Sequence, residues 1–290
     1  MKNALLIILL FFWRMMVLLP MSMQNILSIV FGYLMLISSF KRNKISKVNI
    51  DLCFPSKTPE ERKDIFKRNM ISSGQVLFDT GIAWFWSDQR IKKNISYEIN
   101  GLSSLLKQQA SNKGILLFFK HSLHLELDSR ILGMHAEIYG VEREHNSKYF
   151  QSIQKQGRLK SMVDVVDKKN TLRFIKWLKD GKTVLYAPDQ DYGMKKSNEI
   201  KFFNLPAATI SAPFKIIQKT NCKAYFLDSY FKKNKLFIDI EELTLNDEEE
   251  LGFSKNLNSY IEEKIKLNPH EYLWQHRRFK STLGKNKIYK

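Results

Sequence analysis

The seven residues from Gly114 to Lys120, GILLFFK, constrain this chain more than any other stretch. The run is apolar until its last residue, so it has no face to turn to water. It reads as a strand in a sheet covered on both sides, the situation of parallel strands flanked by helices. Beyond Ile50 the chain supplies companions for it. AEIYGV (Ala136 to Val141) and TVLYAPD (Thr183 to Asp189) read as further strands, the second ended by Pro188. Between them, Asn170 to Gly181 reads as a helix stopped by its glycine. Thr58-Pro59-Glu60-Glu61 opens a long helix that runs to about Trp86, with Thr58 as N-cap, Pro59 in the first turn and Glu61 as reciprocal capping partner. AYFLDSYF and KLFIDIEEL flank Lys232-Lys233-Asn234, the pattern of a hairpin, and Leu257 to Leu267 is a last long helix. Strands separated by helices predict an α/β fold with a mostly parallel central sheet.

The N-terminus obeys other rules. No Asp or Glu occurs from Met1 to Ile50. An apolar run from Ala4 to Trp13 is interrupted by Arg14 and resumes as MMVLLPM; a second extends from Ile26 to Phe40, and Lys41, Arg42, Lys44 and Lys47 come directly after. A bilayer span needs about 20 apolar residues, and neither run reaches that uninterrupted. Arg14 can snorkel from a span, or the segment can lie in the interface. A cleaved signal peptide is the competing reading, but no small-x-small site comes cleanly after the apolar stretch and the second run argues for a retained anchor. The basic cluster after Phe40 predicts that the remainder lies on the cytoplasmic side. The expected division is a helical membrane anchor over residues 1–45 and an α/β catalytic domain over 46–290.

The formal net charge of +18, from 47 Lys and Arg against 29 Asp and Glu, implies a polyanionic partner: nucleic acid, an anionic membrane or an acidic protein. No helix-turn-helix, RNA-binding or zinc-finger signature is present, and the acid-free start favours a membrane, so nucleic acid is not expected. Cys53 and Cys222 form no CxxC pair, the six histidines are scattered and no glycine-rich phosphate loop occurs. Neither a metal nor a cofactor is therefore expected.

The strongest site candidate is HSLHLE, His121 to Glu126. His121 directly succeeds the apolar strand, and catalytic groups of open α/β sheets gather at the carboxyl ends of strands. Glu126 lies five residues on, about 140° away around a regular helix. The two can meet only if His121 occupies the strand-to-helix turn and Glu126 the helix. There a carboxylate can accept the imidazole N–H, fix the tautomer and leave the other nitrogen as a general base, worth roughly 10²–10⁴ in rate. The competing reading is a structural histidine and a solvated glutamate. His124 and Asp128 can also pair, but His124 is the weaker base candidate, because leucines surround it and the strand end has passed. Ser122 beside the base makes an acyl-serine conceivable, without a GxSxG elbow to support it.

HSLHLE resembles the HX4(D/E) signature of glycerolipid and lipid A acyltransferases. VNIDLCFP (Val48 to Pro55), GVEREHNS (Gly140 to Ser147), QGRLKS (Gln156 to Ser161), YAPDQDYG (Tyr186 to Gly193), LPAAT (Leu205 to Thr209) and EYLWQHRRFK (Glu271 to Lys280) resemble, in order, segments of the late acyltransferases of lipid A biosynthesis, the lauroyl/myristoyl transferase family. The resemblance runs from about Ile26 to Lys280. Glu144 and Ser147 stand where that family has prolines, which alters the local loop.

The resemblance implies a glycerolipid-acyltransferase-like fold. It implies an acyl thioester of acyl carrier protein as donor and, as acceptor, a hydroxyl of a lipid A precursor of the Kdo-lipid IVA type. The site would lie on the cytoplasmic face of the inner membrane, in lipopolysaccharide or lipooligosaccharide biosynthesis. His121 would be the base and Glu126 its support. Arg143 and Arg158 are candidates to neutralise the thioester oxyanion or bind a lipid phosphate, against the alternative of ordinary surface arginines. Asp189 would shape the site or hold Arg158 or the acceptor, against the alternative of a turn-forming aspartate. Arg277 and Arg278 are structural or phosphate-facing. Transfer to glycerol phosphate or another glycolipid, and a non-catalytic basic membrane scaffold, are the alternative functions.

Overall fold

The computed structural model describes residues 2–244 and 249–289, with side chains from Leu5 onward; Met1, residues 245–248 and Lys290, which the expected anchor and catalytic domain include, lie outside the described residues. Four helices open the chain: α1 (Lys2–Leu18), α2 (Met21–Ile37), α3 (Lys41–Cys53) and the long α4 (Pro59–Phe85), with α5 (Asp88–Asn94) after it. Strands and helices then alternate: β1 (Tyr97–Asn100), α6 (Leu102–Ala110), β2 (Ile115–Phe119), α7 (Leu125–Leu132), β3 (Tyr139–Glu142), α8 (Lys148–Arg158), β4 (Asp164–Asp167), α9 (Thr171–Lys179) and β5 (Thr183–Tyr186). A hairpin, β6 (Ser197–Phe202) and β7 (Leu205–Ile210), precedes α10 (Ala212–Thr220), β8 (Lys223–Lys232), β9 (Lys235–Glu242), α11 (Glu250–Leu267) and a short α12 (Lys285–Ile288).

The main sheet has seven strands in the order β1-β9-β8-β2-β5-β3-β4, and every pairing in it is parallel except β8 with β9. Strand β2 is central and apolar because it must be: Ile115, Leu116, Leu117 and Phe118 are fully buried, two on each side of the sheet. The hairpin expected at Lys232 to Asn234 is present, with Lys233 and Asn234 at φ of 49° and 62°, the left-handed values its tight turn needs. The expected capping box of α4 is also formed, Glu61 N–H donating to Thr58 Oγ1 at 3.2 Å and Thr58 N–H to Glu61 Oε2 at 2.7 Å. Strand β3 starts at Tyr139 rather than Ala136, because the Ala136 amide still donates to Leu132 O at 3.0 Å in the turn that ends α7. Helix α11 begins seven residues before the expected Leu257, at Glu250.

The N-terminal helices are built inside out. On α2 the buried residues are Gln24, Ser28 and Gly32, spaced four apart on one face, while Ile26, Ile29, Val30, Tyr33, Leu34 and Ile37 are exposed. The small face lies against α4. A Cβ on Gly74 would sit 2.1 Å from Ser28 O, and one on Gly32 would sit 2.5 Å from Ile71 O. Two backbones approach this closely only where side chains are absent. On α1, Leu5, Leu9, Phe12 and Met15 are exposed, whereas Leu10 and Val17 are buried. Helices α1 and α2 have 17 residues each, and among the described residues no single helix is long and apolar enough to cross a membrane. The pair α2 and α3 passes together by length and composition, but it is bent by 81°. The expected boundary at residue 45 falls within α3, which the catalytic portion holds: Asn49 Nδ2 donates to Trp274 O and His276 O, both at 2.7 Å.

Gly74→Leu tests the α2–α4 contact. The added side chain meets backbone atoms that cannot rotate away, so Tm should fall by roughly 5–10 °C, the consequence of overpacking a rigid crossing. An unchanged Tm by differential scanning fluorimetry would mean that α2 does not dock there.

Candidate active site

Parallel register brings the site together. Phe118 of β2 pairs with Tyr186 of β5, and three residues further along each chain come His121 and Asp189. Both leave the carboxyl edge of the sheet side by side. Asp189 is fully buried and grips His121 with both oxygens: Oδ1 lies 2.5 Å from the imidazole Nδ1, and Oδ2 accepts the His121 backbone N–H at 2.8 Å. Burial alone would raise the Asp189 carboxyl. The His121 charge, the two His121 hydrogen bonds and one from Tyr272 overcome it and hold the acid at about 2. The carboxylate is thus ionised throughout the neutral range, and Nδ1 carries the proton it binds. Nε2 is left as the basic atom, on a side chain 17% exposed.

Glu126 does not meet His121. It sits in the first turn of α7, where its carboxylate accepts the Trp84 indole N–H at 2.8 Å and forms an ion pair with Arg158 at the end of α8. The geometry supplies the reason: once the turn ends at His124, position 126 faces α4 and α8, away from the strand end. Burial pushes the Glu126 carboxyl up, but Arg158 and Trp84 bring it below its ordinary value. Arg158 also binds Glu142, so one guanidinium serves two carboxylates. Desolvation works against its charge, and the two carboxylates outweigh that and raise its pKa. An arginine with both edges occupied is in place to orient Glu126, not to take up a new anion. Arg143 is exposed on the loop after β3, next to Glu142 in sequence but outside this triad. Arg278 is structural: it is buried, donates to Ala208 O at 2.6 Å and to Thr209 Oγ1 at 3.2 Å, and lies over the Phe202 ring.

His124 and Asp128 do pair, at 2.7 Å, deep beneath the turn. His124 Nε2 lies 3.5 Å from Glu271 Oε2. Desolvation disfavours the imidazolium, yet Asp128 and Glu271 outweigh it and raise His124 to about 10. The two carboxylates favour the charged imidazolium, although Nε2 makes no hydrogen bond among the described residues and faces Glu271 only at 3.5 Å, and the ring is closed off from solvent beneath the turn. Ser122 is turned inward as well, donating to Asp128 Oδ2 at 2.8 Å, which removes it as a nucleophile in this arrangement. Asp79 of α4 completes the cluster; burial first, then the charges of Asp128 and Glu271, push it from 3.8 to about 7 against the pull of Gln75 and His124.

The C-terminal segment braces the turn from the other side. Leu123 N–H donates to Glu271 O at 2.8 Å, Leu273 N–H to His121 O at 2.9 Å, and Ser122 forms a bridge with Tyr272. Sequence reasoning missed Asp189 as the partner of His121, gave no role to Tyr272 within EYLWQHRRFK, and did not single out Trp84. A signal for the first was present, since both residues end strands, but only the sheet order turns it into a contact.

A histidine oriented by a buried carboxylate at the open edge of a mostly parallel sheet is an arrangement suited to activating a hydroxyl or water. Comparison with known proteins narrows that chemistry. The family model for bacterial lipid A biosynthesis acyltransferase matches residues 1–281, and the chain belongs to that family. It is 31% identical over 257 residues to the lipid A biosynthesis palmitoleoyltransferase of Escherichia coli, covering 86% of this chain and 82% of that one. It is 33% identical over 279 residues to a lipid A biosynthesis acyltransferase of Haemophilus influenzae (93% and 88%) and 33% identical over 255 residues to the lauroyltransferase of E. coli (83% and 80%). The chain is therefore an acyltransferase of lipid A biosynthesis.

Asp79 gives a pH test. Its value in the folded protein lies above the unfolded one, so its contribution to stability is complete below about pH 4 and is lost as pH rises through about 7. Asp79→Asn cannot ionise. Its unfolding free energy relative to the native protein, measured by denaturant titration, should rise between about pH 4 and 7, with a slope of at most about 1.4 kcal/mol per pH unit, and level off above. A difference independent of pH would show that Asp79 is not a raised acid.

Proposed function

We propose that the protein transfers a fatty acyl chain from an acyl carrier protein thioester to a hydroxyl of a Kdo-lipid IVA type precursor, with His121 as general base. The observation that carries this reading is the grip of Asp189 on His121, in a chain of the lipid A acyltransferase family. The acceptor hydroxyl gives its proton to His121 Nε2 as its oxygen attacks the thioester carbonyl carbon. The tetrahedral intermediate then collapses, the C–S bond breaks, and the imidazolium returns the proton to the departing thiolate. Asp189 stabilises the imidazolium between the two steps without itself taking the proton. Glu126 acts at one remove, by fixing Arg158 and the start of α7 beside the turn.

The inside-out helices α1 and α2 support attachment to a membrane, with the catalytic part on the cytoplasmic face of the inner membrane. Their exposed side chains are apolar, and Arg14, Lys41, Arg42, Lys44 and Lys47 suit anionic headgroups. The +18 charge also suits an acidic carrier protein.

His121→Ala should lose at least about 10³-fold in kcat while folding normally, because the residue is partly exposed at a strand end and leaves no core cavity. Asp189→Asn should lose about 10²–10⁴-fold through the wrong tautomer, and the double variant should be little worse than His121→Ala. Mass spectrometry of the product from acyl carrier protein thioesters and a tetra-acylated precursor checks this. Near-native kcat in His121→Ala would remove the base from the mechanism. In the same assay the KM for the carrier should climb with ionic strength, since screening acts over about 8 Å at physiological salt; a salt-independent KM would argue against electrostatic capture.

A further inference from the structure

We propose that His124 is a positioning residue for acyl transfer: set between the carboxylates of Asp128, 2.7 Å from Nδ1, and Glu271, 3.5 Å from Nε2, it links the two groups that hold the turn carrying His121. The inference rests on the reading of His121 as the base. Asp128 Oδ2 accepts the Ser122 hydroxyl at 2.8 Å and the Ser229 hydroxyl at 2.6 Å, which ties the turn to β8. The Glu271 carboxylate accepts the Phe231 N–H at 3.1 and 3.2 Å, and its own carbonyl accepts Leu123 N–H, which ties the C-terminal segment to the same strand and the same turn. Without a cation between them, Asp128 and Glu271 would be two buried carboxylates facing each other. Lys120, just before the base, is held in the same layer by Asp228 and by Ser229 O at 3.1 Å. Each residue from Lys120 to His124 is therefore held by a partner outside the turn, and His121 Nε2 has one place to be.

The network touches no reacting atom, since Ser122, His124 and Asp128 are all buried under the turn. Its effect is on the placement of Nε2, where an error of about 1 Å can cost about 10²-fold in rate. His124→Gln keeps hydrogen-bonding ends and removes the charge. In the full-length enzyme, assayed with acyl carrier protein thioester and tetra-acylated precursor, kcat should fall about 10–100-fold with both KM values within about twofold of native and the pH limb of kcat unmoved. If His124→Gln does not fold, Ser122→Ala carries the test: its kcat should fall about 3–10-fold, whereas Ile131→Val, a core change in α7, the helix after the turn, keeps native kcat. Native kcat in the folded variant overturns the inference, and so does a raised KM at native kcat. His121→Ala separates the two readings: if it is inactive while His124→Gln and Ser122→Ala are native, only the positioning role fails, and if it is active the base itself fails.

Discussion

Strand β2 is the constraint on which the site depends. It is hydrogen-bonded to β5 on one edge and β8 on the other, with its apolar side chains buried on both faces of the sheet. A one-residue shift of such a strand would exchange Ile115 and Leu117 with Leu116 and Phe118 between two close-packed layers, and the misfit of their volumes opposes it. The chain beyond Phe119 therefore emerges at a fixed point, as does the chain beyond Tyr186 on β5. Core packing some residues away brings His121 and Asp189 together, and their hydrogen bonds then hold them there.

Two histidines three residues apart are thereby given opposite characters. His121 has one carboxylate on Nδ1, a partly open Nε2 and a place at the sheet edge. His124 has carboxylates towards both ring nitrogens and almost no exposure, and they favour its charged form. The number of carboxylates and the access of water, rather than the residue type, separate the proposed base from a structural ion. His276 illustrates a third case: its Nε2 accepts the Asp191 N–H at 3.0 Å, and burial, with the charges of Lys280 and His121, lowers it to about 4, so it stays neutral.

Much of the fold was legible because period and capping are local. The apolar run of β2, the capping box of α4 and the β8–β9 hairpin each depend on residues within a few positions of one another. Strands β1 and β4 and the β6–β7 hairpin were not legible. β1 and β4 are only four residues long, at the edges of the sheet, and β6–β7 forms a separate two-stranded sheet. At the site, position was legible and partnership was not. His121 was placed by the rule that strand ends carry chemistry. Its carboxylate was sought at Glu126, from the HX4(D/E) resemblance and from the turn geometry that would let the two meet. Asp189 lies 68 positions further on, and only the adjacency of β2 and β5 brings it in.

Helix α4 joins the N-terminal helices to the turn that carries His121. Its Gly74 receives α2 and its Gly81 receives α1, through Val17 and Trp13. From the same helix, Asn69 donates to His270 O and Tyr272 O, both at 2.9 Å, and so holds the segment that pairs with the His121 turn. Near its end, Trp84 stacks edge-on with Trp13 and donates to Glu126. The exposed apolar helices and the His121 turn thus both pack on one helix of 27 residues. For an enzyme acting on lipid chains this is a physical advantage. A hinge would let the site wander relative to the acceptor, whereas a shared helix fixes its height and tilt above the proposed lipid surface. The entropy of aligning enzyme with acceptor is then lost once, on attachment, and not again at each turnover.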